Sequence, residues 1–162
     1  MPMPCYLSVT DATGKAIEGS CNVQGHQGKI LVQAVEHRIE MPRDPQTGLP
    51  SGKRQHMGLE ITKVVDKSSP KLLQALCRGE RIKEATLEFY RINEKGQEEK
   101  YYTVQLEKAS IVSTRLWVPN CLEPENKPLT HMENFSFTYE KVIWTSVLDS
   151  IQSEDSWLAP NT

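Results

Sequence analysis

The sequence predicts a β-rich barrel or sandwich that carries one α-helix and one long loop. Apolar residues alternate with polar ones along most of the chain, which is the pattern of half-buried strands. Residues 70–78 instead have apolar side chains at helical spacing, and residues 42–56 place three prolines and two glycines between two apolar strands. Because the 162 residues show no break in composition, we expect a single domain over residues 1–162.

The strands are predicted from apolar residues at every second position. Near the N-terminus, Cys5, Leu7 and Val9 share one face of an extended segment. The pattern recurs in five later groups, which are Leu31, Val35, Ile39 and Met41; Met57, Leu59, Ile61 and Val65; Ala85, Leu87 and Phe89; Tyr102, Val104 and Leu106; and Phe135, Phe137, Tyr139 and Ile143.

The alternation changes phase between residues 100 and 118. Leu106 and Val112 lie on even positions, whereas Ala109 and Ile111 lie on odd ones. A change of one residue moves the apolar side chains to the other face of a strand, so we predict a bulge or bend within one long strand.

The helix is predicted over residues 70–78. Ser69 suits the N-cap, Pro70 the first helical position and Gly79 the residue after the last turn. The apolar stripe consists of Leu72, Leu73, Leu76 and Cys77. We expect this stripe to pack against the strands as a lid.

The connection over residues 42–56 is much longer than the roughly 2–5 residues of an ordinary hairpin loop. The segment from Gly48 to Arg54 is similar to a phosphate-binding loop, but only three residues separate its glycines and Arg54 stands where Ser or Thr would hold magnesium. Pro50 also removes a backbone N–H that would bind phosphate. An interaction loop and a mobile connection without a role remain the alternatives.

The segment after Ser150 is mostly polar. We expect residues 151–162 to form a loosely packed C-terminal tail that is anchored only by Trp157. Its carboxylates, Glu154 and Asp155, are expected to be solvated and to keep ordinary pKa values.

Charge and hydropathy exclude two classes of function. The net charge is -2 with interleaved charges, which argues against nucleic-acid binding. No segment approaches the roughly 20 apolar residues of a membrane span, so no membrane insertion is expected. The N-terminal residues show neither a basic segment nor the apolar run of a signal peptide, which predicts a cytoplasmic protein.

Neither the histidines nor the cysteines are spaced for metal binding or nucleophilic catalysis. We therefore expect no enzyme, no catalytic residue, no cofactor and no metal. His37 is expected to be a hydrogen-bonded histidine that points inward or into an interface. The cysteines, which we expect to be free buried thiols rather than two disulfides, are Cys5, Cys21, Cys77 and Cys121.

Several segments resemble the Hcp family, the haemolysin-coregulated proteins of type VI secretion. The segments that carry the resemblance are residues 44–56, 59–63, 66–70, 72–76 and 85–91, the polar turn at 94–96, the strand that ends at Trp117, and residues 135–144. They span nearly the whole chain in the family's order.

The resemblance implies a mainly β fold, a two-sheet β-barrel with one lateral α-helix and a long extended loop. It also implies that six copies form a ring and that the rings stack into a tube, which a contractile sheath propels behind a VgrG-type spike. The resemblance implies further that effector proteins can travel in the lumen. The subunit would be cytoplasmic before firing and then secreted, to the medium or to a target cell, without a signal peptide. Too few residues follow Trp144 for a fused toxin domain.

Within this framework we interpret residues 43–56 as the loop that stacks one ring on the next, because an open axial contact suits a projecting loop. The residues assigned to this contact are Arg43, Asp44, Pro45, Gln46, Thr47, Gly48, Leu49, Pro50, Ser51, Gly52, Lys53, Arg54, Gln55 and His56.

The alternative function is a monomeric barrel that binds a small ligand in its interior. A native mass near 18.4 kDa would favour it, whereas a ring would be six times heavier. A hydrolase is a third and weaker hypothesis for the function, because the sequence offers no activated nucleophile.

Overall fold

A closed β-barrel dominates the computed structural model, which describes residue 3 and residues 5–158. Nine strands, one α-helix and one short 3-10 helix occur in these residues. In chain order they are β1 (Cys5–Asp11), β2 (Ala16–Ile17), β3 (Ile30–Glu40), β4 (Gln55–Val64), α1 (Ser69–Arg78), β5 (Arg81–Ile92), β6 (Glu98–Trp117), the 3-10 helix (Pro124–Asn126), β7 (Met132–Thr138), β8 (Lys141–Ser146) and β9 (Ile151–Ser156).

The barrel closes because six strands pair in a circle. Going round, β1 pairs with β3, β3 with β4, β4 with β7, β7 with β6, β6 with β5, and β5 again with β1, all antiparallel. The β8–β9 hairpin extends the sheet beyond β6, and β2 extends it beyond β1. The prediction of a mainly β barrel with one lateral helix is confirmed.

The predicted bend in the long strand lies in β6, at Lys108, whose φ is 50°. Val104 and Leu106 are buried before it and Ala109 and Ile111 after it, so the inward face changes phase there. The bend also changes the neighbour of β6, which pairs with β8 before Lys108 and with β7 after it. Strand β6 therefore joins the β8–β9 hairpin to the barrel strand β7.

The inward face of β3 differs from the prediction. Ile30 and Val32 are buried, whereas Leu31 is only partly buried and Ile39 and Met41 are exposed. The pairing of β3 with β4 shifts register twice, after Val32 and again after residue 37, so no single alternation describes the strand.

The second shift involves Gly58 in β4. Gly58 has a φ of 82°, and a Cβ atom there would lie 2.8 Å from the backbone oxygen of Phe137. This bulge places Leu59 and Ile61 in the core, as predicted, and turns Met57 to solvent, which corrects the prediction for that residue.

Helix α1 begins at Ser69, so the cap position belongs to Ser68 and not to Ser69 as predicted, and the Ser68 side chain makes no capping hydrogen bond to the helix. Leu72 and Ala75 are buried, whereas Leu73 is 38% exposed and Cys77 is exposed, so the predicted stripe is wrong for these last two residues. Successive side chains point about 100° apart around a helix axis, so Leu72 and Ala75, which are three positions apart, share the buried face of α1. Gly79 ends the helix in the left-handed conformation, as predicted.

A buried ion pair joins α1 to the barrel, and sequence reasoning did not anticipate it. Lys63 of β4 is 0% exposed and contacts the carboxylates of Glu133 and Asp66, the latter at 3.1 Å. Ser69 accepts a hydrogen bond from the Lys63 ammonium at 3.1 Å and donates one to Glu133. Burial acts to raise the pKa of Asp66, but hydrogen bonds from Ser68 and the charge of Lys63 outweigh it, so this pKa is lowered.

The expected loose tail is partly a strand. Residues Ile151–Ser156 form β9 and pair with β8 along their whole length. The segment is exposed on most positions, so it lacks the apolar alternation by which a strand is recognised. Residues 159–162 of the expected tail lie outside the described residues.

Candidate functional site

The loop between β3 and β4 is a self-supporting projection. Asp44 N–H donates to the Leu49 carbonyl at 2.9 Å, Gly48 N–H to the Asp44 carbonyl at 2.8 Å, and Ser51 N–H to the Pro42 carbonyl at 2.7 Å. Arg43 also forms a β-bridge with Pro50. Residues 45–53 are exposed, so the structure presents an ordered tip to solvent.

The end of the loop turns back onto the barrel. Arg54 donates from Nε to Asp155 Oδ2 at 2.5 Å and from Nη2 to the Ser156 carbonyl at 2.7 Å. His56 is buried, and its Nε2 lies 2.7 Å from the same Asp155 oxygen. Of the fourteen residues assigned to stacking, these two therefore contact β9 of their own chain, while Gln55 is exposed at the start of β4.

Tyr139 links two histidines beneath the loop. Its hydroxyl lies 2.7 Å from His56 Nδ1 and 2.9 Å from His37 Nε2. Trp157 stacks on the His56 ring, with centroids 5.2 Å apart, and Trp144 stacks on His37 at 6.2 Å. The prediction that His37 is hydrogen-bonded is confirmed. Trp157 is an anchor, as expected, but it is not the only one, because Asp155 and the pairing of β9 with β8 also hold the tail.

The surroundings of this cluster shift three pKa values. Burial, followed by the charge of His56, lowers the pKa of His37. Burial and the nearby Asp155 raise the pKa of Tyr139. Burial also acts to raise the pKa of Asp155, but Arg54 and His56 outweigh it and the pKa is lowered, so the expectation of an ordinary value was wrong.

Asp155 and Tyr139 are the residues of this cluster whose role the sequence did not reveal. Asp155 is separated from Arg54 by 101 positions, and no local spacing connects them. Tyr139 continues the inward alternation of Phe135 and Phe137, which marks it as core but says nothing about its hydroxyl. Because the hydroxyl of a buried tyrosine needs a hydrogen-bond partner, the tyrosine at an inward position was the sequence signal for a buried polar contact.

All four cysteines are free thiols, as predicted. Cys5 and Cys21 are buried, and burial raises the pKa of Cys5 to about 11. Cys77 and Cys121 are exposed, which corrects the prediction for both, because Cys77 lies on the outer side of α1 and Cys121 in the loop after β6.

The interior of the barrel is filled by side chains. Those that are less than 2% exposed include Leu7, Ile30, Leu59, Ile61, Leu72, Ile82, Leu87, Leu106, Met132, Phe135 and Phe137. They occupy the space that a small ligand would need, which weakens the alternative of a ligand-binding barrel. Among residues 5–158, no three His, Cys, Asp or Glu side chains are placed to hold a metal ion, and no helix is long and apolar enough to cross a membrane.

Comparison with known proteins identifies the family. The family model described as type VI secretion system effector, Hcp, matches residues 6–145. The major exported protein of Pseudomonas aeruginosa is 38% identical over 169 aligned positions, which cover 99% of this chain and 98% of that protein.

Solved structures agree with the family match. The structure of a variant of Hcp1 from Escherichia coli superposes with a TM-score of 0.85 at 34% identity, covering 96% of this chain and 99% of that one. The secreted protein Hcp3 of Pseudomonas aeruginosa superposes with a TM-score of 0.78 at 32% identity, with the same coverage. From its sequence and its fold together, this chain belongs to the Hcp family of type VI secretion system effectors.

Proposed function

We propose that the chain is the structural subunit of the type VI secretion inner tube, that six copies form a ring, and that the rings stack through the tip of the extended loop. The observation that carries the proposal is the loop itself, which is exposed, internally hydrogen-bonded and fixed to the barrel at its base. A contact repeated along a tube needs such a rigid projection, since a mobile loop would lose conformational entropy at every contact.

Open sheet edges support ring formation. Within the described residues, β9 pairs with β8 only, and β3 beyond Val32 pairs with β4 only. Unpaired edges continue hydrogen bonding with another chain when geometry permits. Two different edges on one subunit suit a heterologous interface, and such an interface closes into a ring when its rotation permits.

The proposal includes the partners that the family implies. The subunit is made in the cytoplasm and exported by the contractile sheath behind a VgrG-type spike, with effector proteins in the lumen. The relative named a major exported protein supports export. The role is structural, without a catalytic activity.

Native mass tests the ring. Light scattering at micromolar concentration should give about six times 18.4 kDa, and electron microscopy should show a central hole. A mass that stays at that of one chain across dilution would overturn the proposal and restore the monomeric alternative.

Charge reversal at the loop tip tests the stacking contact. Arg43→Glu combined with Lys53→Glu should leave the ring mass unchanged while reducing tube formation and secretion. Both residues are exposed, whereas Arg54 is occupied within its own chain. Single exposed ion pairs contribute only about 0–1 kcal/mol, so stacking depends on several copies and should weaken with added salt.

The matched control reverses two exposed charges elsewhere, with Lys71→Glu and Lys83→Glu, and should form tubes as the parent does. Dissociation of the Arg43 and Lys53 variant into monomers would place this loop within the ring and refute its role in stacking.

A further inference from the structure

The base of the extended loop and β9 are joined by one continuous chain of hydrogen bonds, from His37 through Tyr139 and His56 to Asp155. Ionised Asp155 can only accept, so His56 must donate to it from Nε2. Neutral His56 then accepts at Nδ1 from the Tyr139 hydroxyl, whose oxygen accepts from His37 Nε2–H. Every donor in the chain has an acceptor.

The chain of hydrogen bonds can accommodate one added proton. When His56 is protonated, its Nδ1–H donates to the Tyr139 oxygen, and the tyrosine hydrogen turns to His37. His37 accepts at Nε2 once its own hydrogen is on Nδ1. The donor and acceptor roles are reversed in both hydrogen bonds between His37 and His56, but neither hydrogen bond is lost.

A second proton cannot be accommodated in the same way. With both histidines protonated, His37 and His56 each donate to Tyr139, and the tyrosine hydrogen has no acceptor within the chain. Two cationic rings then flank one buried hydroxyl. Burial and the charge of His56 already lower the pKa of His37, which agrees with this repulsion.

Of the charged groups around the two histidines and Tyr139, Asp155 is the carboxylate in direct contact; it faces His56 rather than His37, and it also holds Arg54. Other charged groups on the adjoining elements pair with one another, namely Arg38 with Glu40, Lys141 with Glu107 and Glu154, and Glu140 with Arg81 and Lys108. Glu36 is exposed, and Glu60 is exposed and accepts a hydrogen bond from Asn134.

We propose that this chain of hydrogen bonds is an acid-sensitive latch, which holds the loop base against β9 at neutral pH and opens when both histidines are protonated. Opening would release Arg54 and Trp157 from their contacts. If the proposed tube function is correct, acid would loosen the stacking of rings, and only this last consequence depends on that function.

Hydrogen–deuterium exchange of the whole protein tests the latch without requiring tubes. Between about pH 7.5 and about pH 5, after correction for intrinsic rates, the amides of β9 and of Trp157 should exchange about tenfold faster, while those of β7 should not change. His37→Gln keeps an N–H near the position of Nε2 but cannot be protonated, so the acid effect should disappear. The matched control, His131→Gln, replaces an exposed histidine and should keep it.

A parent protein without the acid effect, or a His37→Gln variant that retains it, would overturn the latch. Tyr139→Phe provides a second test, because loss of the central hydroxyl should make β9 exchange fast at both pH values. Parent-like pH dependence in Tyr139→Phe would refute the proposal. Absence of rings together with an intact acid effect would instead refute the proposed function and leave the latch supported.

Discussion

Replacing Lys63 with methionine is expected to lower the free energy of unfolding by about 3–5 kcal/mol at neutral pH. The ammonium of Lys63 is fully buried between the carboxylates of Glu133 and Asp66. Methionine is unbranched and one atom shorter than lysine, so it retains most of the apolar stem but removes the cation, and two carboxylates are left without a counter-charge. Urea unfolding of the variant and the parent measures the difference.

The loss should depend on Glu133, whose buried carboxylate loses its counter-charge in the variant. Adding Glu133→Gln to Lys63→Met should restore part of the loss. Lys83→Met, at an exposed position, serves as the control, and an equal effect of both methionines would contradict the prediction.

Replacing Leu72 with alanine should cost about 2–5 kcal/mol, because it leaves a cavity between α1 and the barrel. Leu72 is 0% exposed, whereas Leu73 in the same helix is 38% exposed. Leu73→Ala is therefore the matched control and should cost less than about 1 kcal/mol. Thermal or urea unfolding that ranks the two variants in the opposite order would show that α1 packs on a different face.

The predictable part of the fold is the part in which local pattern and tertiary packing agree. The alternation around Leu87 and Phe137 is visible in the sequence because each strand has one buried face. The phase change predicted between residues 100 and 118, which the structure places at Lys108, is visible because apolar residues move from even to odd positions. In β3, two register shifts interrupt the alternation, and the buried residues Ile30 and Val32 cannot be assigned without knowing how β4 pairs.

The candidate site was less predictable, since its contacts join distant residues. Asp155 was expected to be solvated and Lys63 was given no role, yet both side chains are held by partners far along the chain. Charged residues are rarely buried unless they are paired, and a single sequence does not show the pairing. Glu133 is 70 positions from Lys63, so only the closed barrel brings them together.

The anchoring of the loop by β9 also has a temporal consequence during protein synthesis. Arg54 and Asp155 are 101 positions apart, so at roughly 5–20 residues per second the ribosome needs on the order of 5–20 s to supply the anchor after the loop has been made. During that interval the nascent loop lacks the contacts of Arg54 and His56 with Asp155. If the proposed stacking role is correct, the loop is fully anchored only once the outer hairpin has been translated, which would delay association between unfinished chains.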